Sequence, residues 1–430
     1  MRFTSLAAWL DWQASLNPRK IELGLDRVRQ VWHALGPPPV KPLVFTVAGT
    51  NGKGSSVAFI EAMLQAAGYR TGCYTSPHLL RYNERIRVDL MPVDDRTIVD
   101  AFARIDKARG DLPLTYFEFG TLAALSIFTA CELDAIVLEV GLGGRLDAVN
   151  LIDADVALIT GIALDHQDWL GNDVEQIGAE KAGVMRADRP VVFSGAEMPA
   201  SIGRRAEEIG ALLQVAGQDY RIERRAESWD LLVGVRTRRA LPVPGMRGRI
   251  QVDNAAGAIM ALACAAERLP IDQAAIRAGL LAARVPGRFE VRPGSPTWVL
   301  DVAHNPQAAT GLSDMLGDMF TPGRRIAVCG MLDDKDAAGI ARALARRFDT
   351  WYIVDLSAHS RGVDAETLAR RIRPELAGSV VEVKKDMQTL LPTLPAEVGE
   401  DGQIVVFGSF HMVGAAMAWL DDIDSTPKVD

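Results

Sequence analysis

Four cysteines in 430 residues (Cys73, Cys131, Cys264 and Cys329) are too few and too widely spaced for a disulfide framework or a C-x-x-C motif. Each sits among apolar or small residues, so they read as buried, reduced thiols of a reducing compartment. A basic surplus is lacking too: the formal net charge of −8 excludes a general nucleic-acid binder, while leaving room for local basic pockets that hold phosphates. Long apolar runs are missing. The nearest to a membrane span, Leu122 to Val140, is interrupted by Glu132 and Asp134. The apolar patch from Leu6 to Leu10, preceded by Arg2, is ended by Asp11, too short and too acidic at its end for a secretory signal. No internal repeat or low-complexity tract breaks the pattern. What remains is a chain 48% apolar and 24% charged, ordinary for a soluble globular protein and expected in the cytoplasm.

A chain of 430 residues exceeds what one hydrophobic core serves, so two domains are expected. Short β-rich runs alternate with helical patterns. Leu43 to Ala48 reads as a buried strand; from Ser55 the apolar positions Val57, Ile60, Leu64 and Ala67 follow helical spacing until Gly68. Ala135 to Val140, Val156 to Thr160 and Pro190 to Phe193 add strands, and such alternation builds parallel sheets covered by helices. A second set of strands, Trp298 to Asp301, Arg325 to Cys329, Trp351 to Asp355, Val380 to Val383 and Ile404 to Phe407, is separated by helices such as Ala337 to Phe348 and Ala365 to Ile372. That set suggests a smaller doubly wound domain. Arg284 to Glu290 reads as the connector, because Pro286 and Gly287 interrupt the preceding helix. The expected division is 1–285 and 286–430. Residues 218–252 read as β-like and irregular, without a clear place.

The segment Val47-Ala-Gly-Thr-Asn-Gly-Lys-Gly-Ser-Ser56 follows a strand and opens a helix, the context a phosphate-binding loop requires. Gly49, Gly52 and Gly54 let the backbone turn tightly and aim N–H groups at phosphate oxygens; the helix N-terminus adds partial positive charge. Lys53 can neutralise the outer phosphates, and Ser55 can reach a metal ion. The spacing, G-x-x-G-K-G-S, departs from the strict G-x-x-x-x-G-K-[ST], and the competing reading is a glycine-rich turn with an exposed lysine.

Three further residues stand at strand ends, where α/β sheets place their ligands. Ser76 lies in Tyr74-Thr-Ser-Pro-His-Leu79, Glu139 closes an apolar strand, and His166 lies in Ala-Leu-Asp-His-Gln-Asp168. One hydroxyl, one carboxylate and one imidazole suit a divalent cation. Magnesium takes few protein ligands, and the imidazole keeps manganese as an alternative. Singly, His166 reads better as a packed histidine, whereas a charge closing an apolar strand is costly unless something pairs with it.

The strings VAGTNGKGSS, YTSPHLLRYNERI, LTYFEFGTLAAL, IVLEVGLGGRLDAVN, IALDHQDWLG, EKAGV, VPGRFE and DVAHNP occur in this order. Together they closely resemble the bacterial folylpolyglutamate synthase/dihydrofolate synthase family, a branch of the Mur ligase superfamily, from about Ile21 to the Gly-Ser-Phe-His segment at 408–411. The resemblance implies an α/β fold: an N-terminal P-loop ATPase-like domain with a parallel-rich sheet, a smaller C-terminal Rossmann-like domain, and an active site in the cleft between them. It implies ATP-dependent ligation of L-glutamate to dihydropteroate and to the γ-carboxyl of tetrahydrofolate, through an acyl phosphate, by a monomer acting on neither nucleic acid nor membrane. ATP would be held by Gly49, Thr50, Asn51, Gly52, Lys53, Gly54 and Ser55, with Asn254, Arg288 and Asp301. Ser76, Glu139 and His166 would ligate Mg2+, or Mn2+. Lys181 matches a lysine that the family carries as a carbamate, an anion that suits a metal-rich site better than an ammonium; without the resemblance Lys181 reads as an exposed helix residue paired with a glutamate.

His304 and the Ser409 to His411 segment resemble the wall near the incoming glutamate. Ile21, Glu22, Leu23, Thr115, Tyr116, Phe117, Glu118, Leu146, Asp147 and Ala148 match pterin-contacting segments. Phe117 offers a face for stacking and Asp147 an acceptor for pterin N–H groups, although core packing also explains Tyr116, Phe117 and Phe119. Two departures stand out. Ile250 precedes Gln251 where many members carry histidine, and Ser55 and Ser56 stand where threonine is common. Two rivals are weighed: a Mur-type ligase acting on a peptidoglycan precursor, and a nucleotide switch, which usually carries an Asn-Lys-x-Asp absent here.

Overall fold

The computed structural model describes residues 2–17, 21–359 and 361–425. The chain forms two compact units: residues 1–78, 82–245 and 250–284 in the first, and 79–81, 246–249 and 285–430 in the second. The helix before the connector, Gln273–Ala282, stops short of Pro286.

In the first unit an eight-stranded sheet holds β1 (Leu43–Ala48), β2 (Thr71–Tyr74), β3 (Ile86–Val88), β4 (Met91–Pro92), β5 (Ala135–Glu139), β6 (Val156–Ile159), β7 (Pro190–Phe193) and β8 (Leu212–Val215), in the order β4-β3-β2-β5-β1-β6-β7-β8. All neighbours run parallel except β3, which is antiparallel to both β2 and β4. Every residue of β1 is buried, as a central strand covered on both faces must be, and this accounts for its unbroken apolar sequence. The helix Tyr116–Phe128 starts from a reciprocal cap, with the Thr115 side chain meeting the Glu118 N–H and the Glu118 side chain meeting the Thr115 N–H. Trp9, Phe102, Phe119, Phe128, Ile136 and Leu138 are at the centre of the core. The apolar patch Leu6 to Leu10 thus belongs to a core helix, Leu6–Leu16, through Trp9.

The stretch that resisted placement is a small antiparallel sheet of β9 (Tyr220–Arg224), β10 (Ser228–Val233) and β11 (Arg236–Pro242), in the order β11-β10-β9. The helix Arg249–Cys264 begins inside the range read as β-like. A bulge between Trp229 and Leu231 explains why no clean two-residue alternation shows there.

The second unit is a six-stranded sheet of β12 (Glu290–Arg292), β13 (Thr297–Leu300), β14 (Arg325–Cys329), β15 (Thr350–Val354), β16 (Val380–Lys384) and β17 (Gln403–Phe407), ordered β12-β13-β17-β14-β15-β16 and parallel apart from β12. One apolar cluster contains Leu312, Ile340, Trp351 and Phe407; another contains Leu300, Tyr352, Ile404 and Met412. The helix expected over 337–348 ends at Leu344. The cysteine reading needs one correction: Cys73 and Cys329 are buried, but Cys131 and Cys264 are only partly so, because they stand near helix ends. Among the described residues no helix is long and apolar enough to cross a membrane.

Candidate active site

The phosphate-type loop leaves β1 and enters the helix Lys53–Ala66. Gly49 and Gly52 are required by shape. Both have positive φ, and a side-chain carbon would collide with the Thr160 hydroxyl at Gly49 and with the Asn254 amide oxygen at Gly52. The loop is fastened to the segment after β6. The Thr50 N–H donates to the Gly161 carbonyl at 2.9 Å, and the Thr50 hydroxyl is 3.1 Å from both the N–H and the carbonyl of Ala163. That segment leads directly to His166, whose backbone is left-handed with φ 51°.

Glu139 ends β5, and its carboxylate accepts the Ser76 N–H at 3.1 Å. It is buried, and lies 3.6 Å from where a side-chain carbon on Gly54 would project. Ser76, Glu139 and the start of the loop helix therefore converge, while His166 is held to the same loop through residues 161–163. Among the described residues no three His, Cys, Asp or Glu cluster as a metal cage. A shell of one carboxylate, one imidazole and one hydroxyl, completed by phosphate and water, suits magnesium, which keeps few protein ligands.

Lys53 folds over the loop, its ammonium donating to the Gly49 and Thr50 carbonyls at 3.0 and 3.1 Å. Lys181 is buried, ending the helix Val174–Ala182, and donates to the Gly49 carbonyl at 2.8 Å. Glu180 pairs with Arg145 at 2.8 Å instead, so the reading of Lys181 as an exposed, glutamate-paired residue fails. Burial, and then the charge of Lys53, bring Lys181 down to about 7, against the weaker opposing pull of Asp165 and Asp147.

The segments matched to pterin contacts meet beside this loop. The Gly24 N–H donates to the Leu146 carbonyl at 3.1 Å, which joins Ile21–Leu23 to Leu146–Ala148. Gly141 passes close against the ring of Phe117, whose other neighbour, Tyr74, has its centroid 5.8 Å away. Asp147 is buried; its carboxylate accepts the Leu142 N–H at 2.7 Å and the Val149 N–H at 3.0 Å. Burial pushes it up to about 6, with the backbone donors and Lys53 pulling the other way. The Thr115 and Glu118 side chains are engaged within the protein. Both are buried in the helix cap, and Glu118 also binds Arg27 at 2.8 Å, so they fix the start of the helix Tyr116–Phe128. Glu22 joins the same guanidinium at 3.0 Å. We expect Thr115→Ala to lower stability by about 1 kcal/mol, the usual value of such a cap, and to leave the Michaelis constant for a pterin acid within about twofold. Denaturant unfolding and steady-state kinetics on one preparation check both.

In the second unit β13 runs into Asp301-Val-Ala-His-Asn305, and the Asn305 side chain caps the helix Pro306–Asp318. The Asp301 carboxylate accepts the Phe289 N–H at 2.8 Å and the Ala303 N–H at 2.7 Å. Burial raises its proton affinity, opposed chiefly by Arg288. His304 Nδ1 is 2.8 Å from the Val302 carbonyl, and the imidazole centroid is 6.0 Å from that of Phe410. The Arg288 guanidinium lies 5.7 Å from the Phe410 centroid. A bond of 3.0 Å from the Gly408 N–H to the Ala303 carbonyl joins the two loops, and Ser409 caps the helix Phe410–Ser425 by accepting the Met412 N–H. Arg288, Asp301, His304 and Ser409–His411 therefore share one neighbourhood.

Sequence reasoning missed several neighbours: Arg27 behind the wall, Tyr74 beside Phe117, Thr160 under the loop, and His359, whose ring stacks on His411 at 4.2 Å. Tyr74 and Thr160 stood inside segments already singled out; Arg27 and His359 carried no local signal.

The family model described as Mur ligase, glutamate ligase domain, matches residues 287–410. The dihydrofolate synthase/folylpolyglutamate synthase of Escherichia coli (strain K12) is 43% identical over 416 residues, covering 97% of this chain and 96% of that one. A solved structure of E. coli FolC in complex with DHPP and ADP superposes with a TM-score of 0.92 at 42% identity, covering 98% of this chain and 99% of that one. Another, of a bifunctional folylpolyglutamate synthase/dihydrofolate synthase with Mn, AMPPNP and L-glutamate bound, superposes with a TM-score of 0.89 at 44% identity, covering 97% and 98% of the two chains. An α/β chain with a glycine loop on a parallel sheet and a Mur ligase C-terminal domain, matched end to end in this way, belongs to the dihydrofolate synthase/folylpolyglutamate synthase family of ATP-dependent ligases.

Proposed function

We propose that residues 49–55 grip the ATP phosphates and that a pterin acid lies along Phe117 and Asp147, its carboxylate turned toward the γ-phosphate. Ile21–Leu23, Tyr116, Leu146 and Ala148 complete the pterin wall, and Asn254, Arg288 and Asp301 contact the nucleotide. One observation carries the reading. Lys53 and the buried Lys181 both donate to the Gly49 carbonyl, at 3.0 and 2.8 Å, so two amines converge on the glycine loop.

The pterin carboxylate attacks the γ-phosphorus, the bond from that phosphorus to the bridging oxygen breaks, and an acyl phosphate and ADP result. The glutamate amine then attacks that carbonyl, and phosphate leaves. Phosphoryl transfer requires mainly alignment and charge neutralisation; the loop N–H groups and Lys53 supply these. A divalent cation held by Ser76, Glu139 and His166 would add Lewis-acid charge at the phosphates. Carbamylation of Lys181 belongs to this proposal. Only a neutral amine adds CO2, and an amine brought down to about 7 is roughly half neutral at pH 7, against about one part in a thousand or fewer for an ordinary lysine. His304 and Ser409–His411 serve the incoming glutamate. In the division 1–285 and 286–430, the first part then carries the phosphate loop and the pterin segments and the second carries Arg288, Asp301 and the glutamate-facing residues, in a cytoplasmic monomer acting on dihydropteroate, tetrahydrofolate and L-glutamate.

Equilibrium binding of dihydropteroate compared with a UDP-sugar peptide precursor tests the substrate class: preference for the UDP-sugar would restore the peptidoglycan reading. The Asp147 carboxyl gives a pH test. Pterin N–H groups bind the ionised form, which is lost as pH falls through about 6. Dihydropteroate affinity should therefore fall several-fold between pH 7 and 5, whereas Asp147→Asn should bind weakly with a flat profile. Titration of both proteins by fluorescence or calorimetry checks this.

A further inference from the structure

Arg85 ends the short turn Tyr82–Arg85 before β3 and is 9% exposed. Its Nε donates to His78 Nδ1 at 2.8 Å, and its guanidinium lies 5.4 Å from the ring centroid of Tyr82 and 5.6 Å from that of Tyr116. Among the described residues no carboxylate pairs with it. The other largely buried arginines of this unit are treated differently: Arg27 meets Glu118 and Glu22, Arg87 meets Glu61 at 2.7 Å, and Arg109 meets Asp106 at 2.7 Å. Burying a cation without a counter-charge is unfavourable, and two aromatic faces offset only part of that. The tyrosines do not supply the missing charge. Burial pushes Tyr74 up to about 12 and raises Tyr82 and Tyr116 as well, so all three stay neutral near physiological pH.

The aromatic surround of Arg85 is continuous with the pterin wall. The rings of Tyr82 and Tyr116 are 5.6 Å apart, Tyr116 precedes Phe117, and Phe117 lies beside Tyr74. The two acceptor substrates differ in their carboxylates. Dihydropteroate has one carboxylate, which must go to the phosphate. Tetrahydrofolate has two on its glutamyl group: the γ-carboxylate reacts and the α-carboxylate is a spectator that enters the site charged. A guanidinium fork matches a carboxylate in two parallel hydrogen bonds, and gripping the reacting group would tie up the lone pairs it needs for attack.

Resting on the reading of the site given above, we propose that Arg85 is the receptor for the α-carboxylate of tetrahydrofolate, so that it serves the second glutamylation and not the first. The test is steady-state kinetics of Arg85→Met and Arg85→Lys with each substrate. Tetrahydrofolate should lose about 10- to 100-fold in kcat/KM, mainly through KM, as loss of a charge-assisted pair does. Dihydropteroate should lose no more than about threefold, and Lys should fall between Met and wild type with tetrahydrofolate. Equal losses on both substrates, or none on tetrahydrofolate, would overturn the assignment. A second arm needs no Met variant. The α-amide of tetrahydrofolate should raise KM about 10- to 100-fold in the wild type, with little further rise in Arg85→Lys. An amide accepted as well as the acid would also overturn it. Wild-type protein that turned over neither substrate would instead defeat the functional reading beneath this one.

Discussion

Replacing Lys53 by Ala should lower kcat by on the order of 100-fold or more, the usual effect of removing a fixed charge partner from a developing transition state. Lys53 opens the helix after the glycine loop, and its ammonium is tethered by the loop's own carbonyls, 3.0 and 3.1 Å away. The charge is therefore placed before the nucleotide arrives. Loss of that charge should appear in kcat more than in the KM for glutamate, because the ammonium acts on the phosphoryl group in flight. Circular dichroism should be unchanged, since the ammonium's bonds to the Gly49 and Thr50 carbonyls lie within one short loop. Near-normal turnover of Lys53→Ala would remove the loop from the mechanism.

The second large effect is expected at Lys181. Lys181→Ala and Lys181→Arg should both lose roughly 100-fold or more in kcat, on the scale of removing one charged group from a metal–phosphate site. Arg is the informative substitution. It keeps a positive charge and can still donate a hydrogen bond toward Gly49, but it cannot form a carbamate. If the lysine acted merely as a cation, Arg would preserve much of the rate. The pH dependence has a definite sign. Burial and the charge of Lys53 bring Lys181 down to about 7, so the neutral amine required for CO2 addition is depleted as pH falls below that value. Activity in bicarbonate-free buffer should fall faster on the acid side than in buffer saturated with CO2, and the difference should vanish in Lys181→Arg. Carbon-13 NMR of protein equilibrated with labelled CO2 shows directly whether the adduct forms.

Much of this arrangement was legible in the residues themselves. The buried strand Leu43 to Ala48, the glycine loop and the helix after it were legible because each is a local pattern with a local cause. Glu139 was legible for an energetic reason: a carboxylate ending an apolar strand needs a partner, and the Ser76 N–H is one. Partnerships across long separations were not legible. Arg27 reaches Glu118 over 91 positions, and Lys181 reaches Gly49 over 132; nothing in either local sequence names its partner. The same limit applied to Thr115 and Glu118. Their segment was singled out from the sequence, but only the folded chain shows the hydroxyl and carboxylate turned into a helix cap. In 218–252 a bulge and a left-handed Ala240, φ 53°, broke the two-residue alternation that marks a strand.

The most direct measurement is phosphate release from ATP by the purified protein with magnesium and L-glutamate, adding dihydropteroate and tetrahydrofolate in turn. The account predicts little release without a pterin acid and stoichiometric release with either one, matched by a new amide bond in the product. ATP left unconsumed whichever pterin acid is supplied would contradict it.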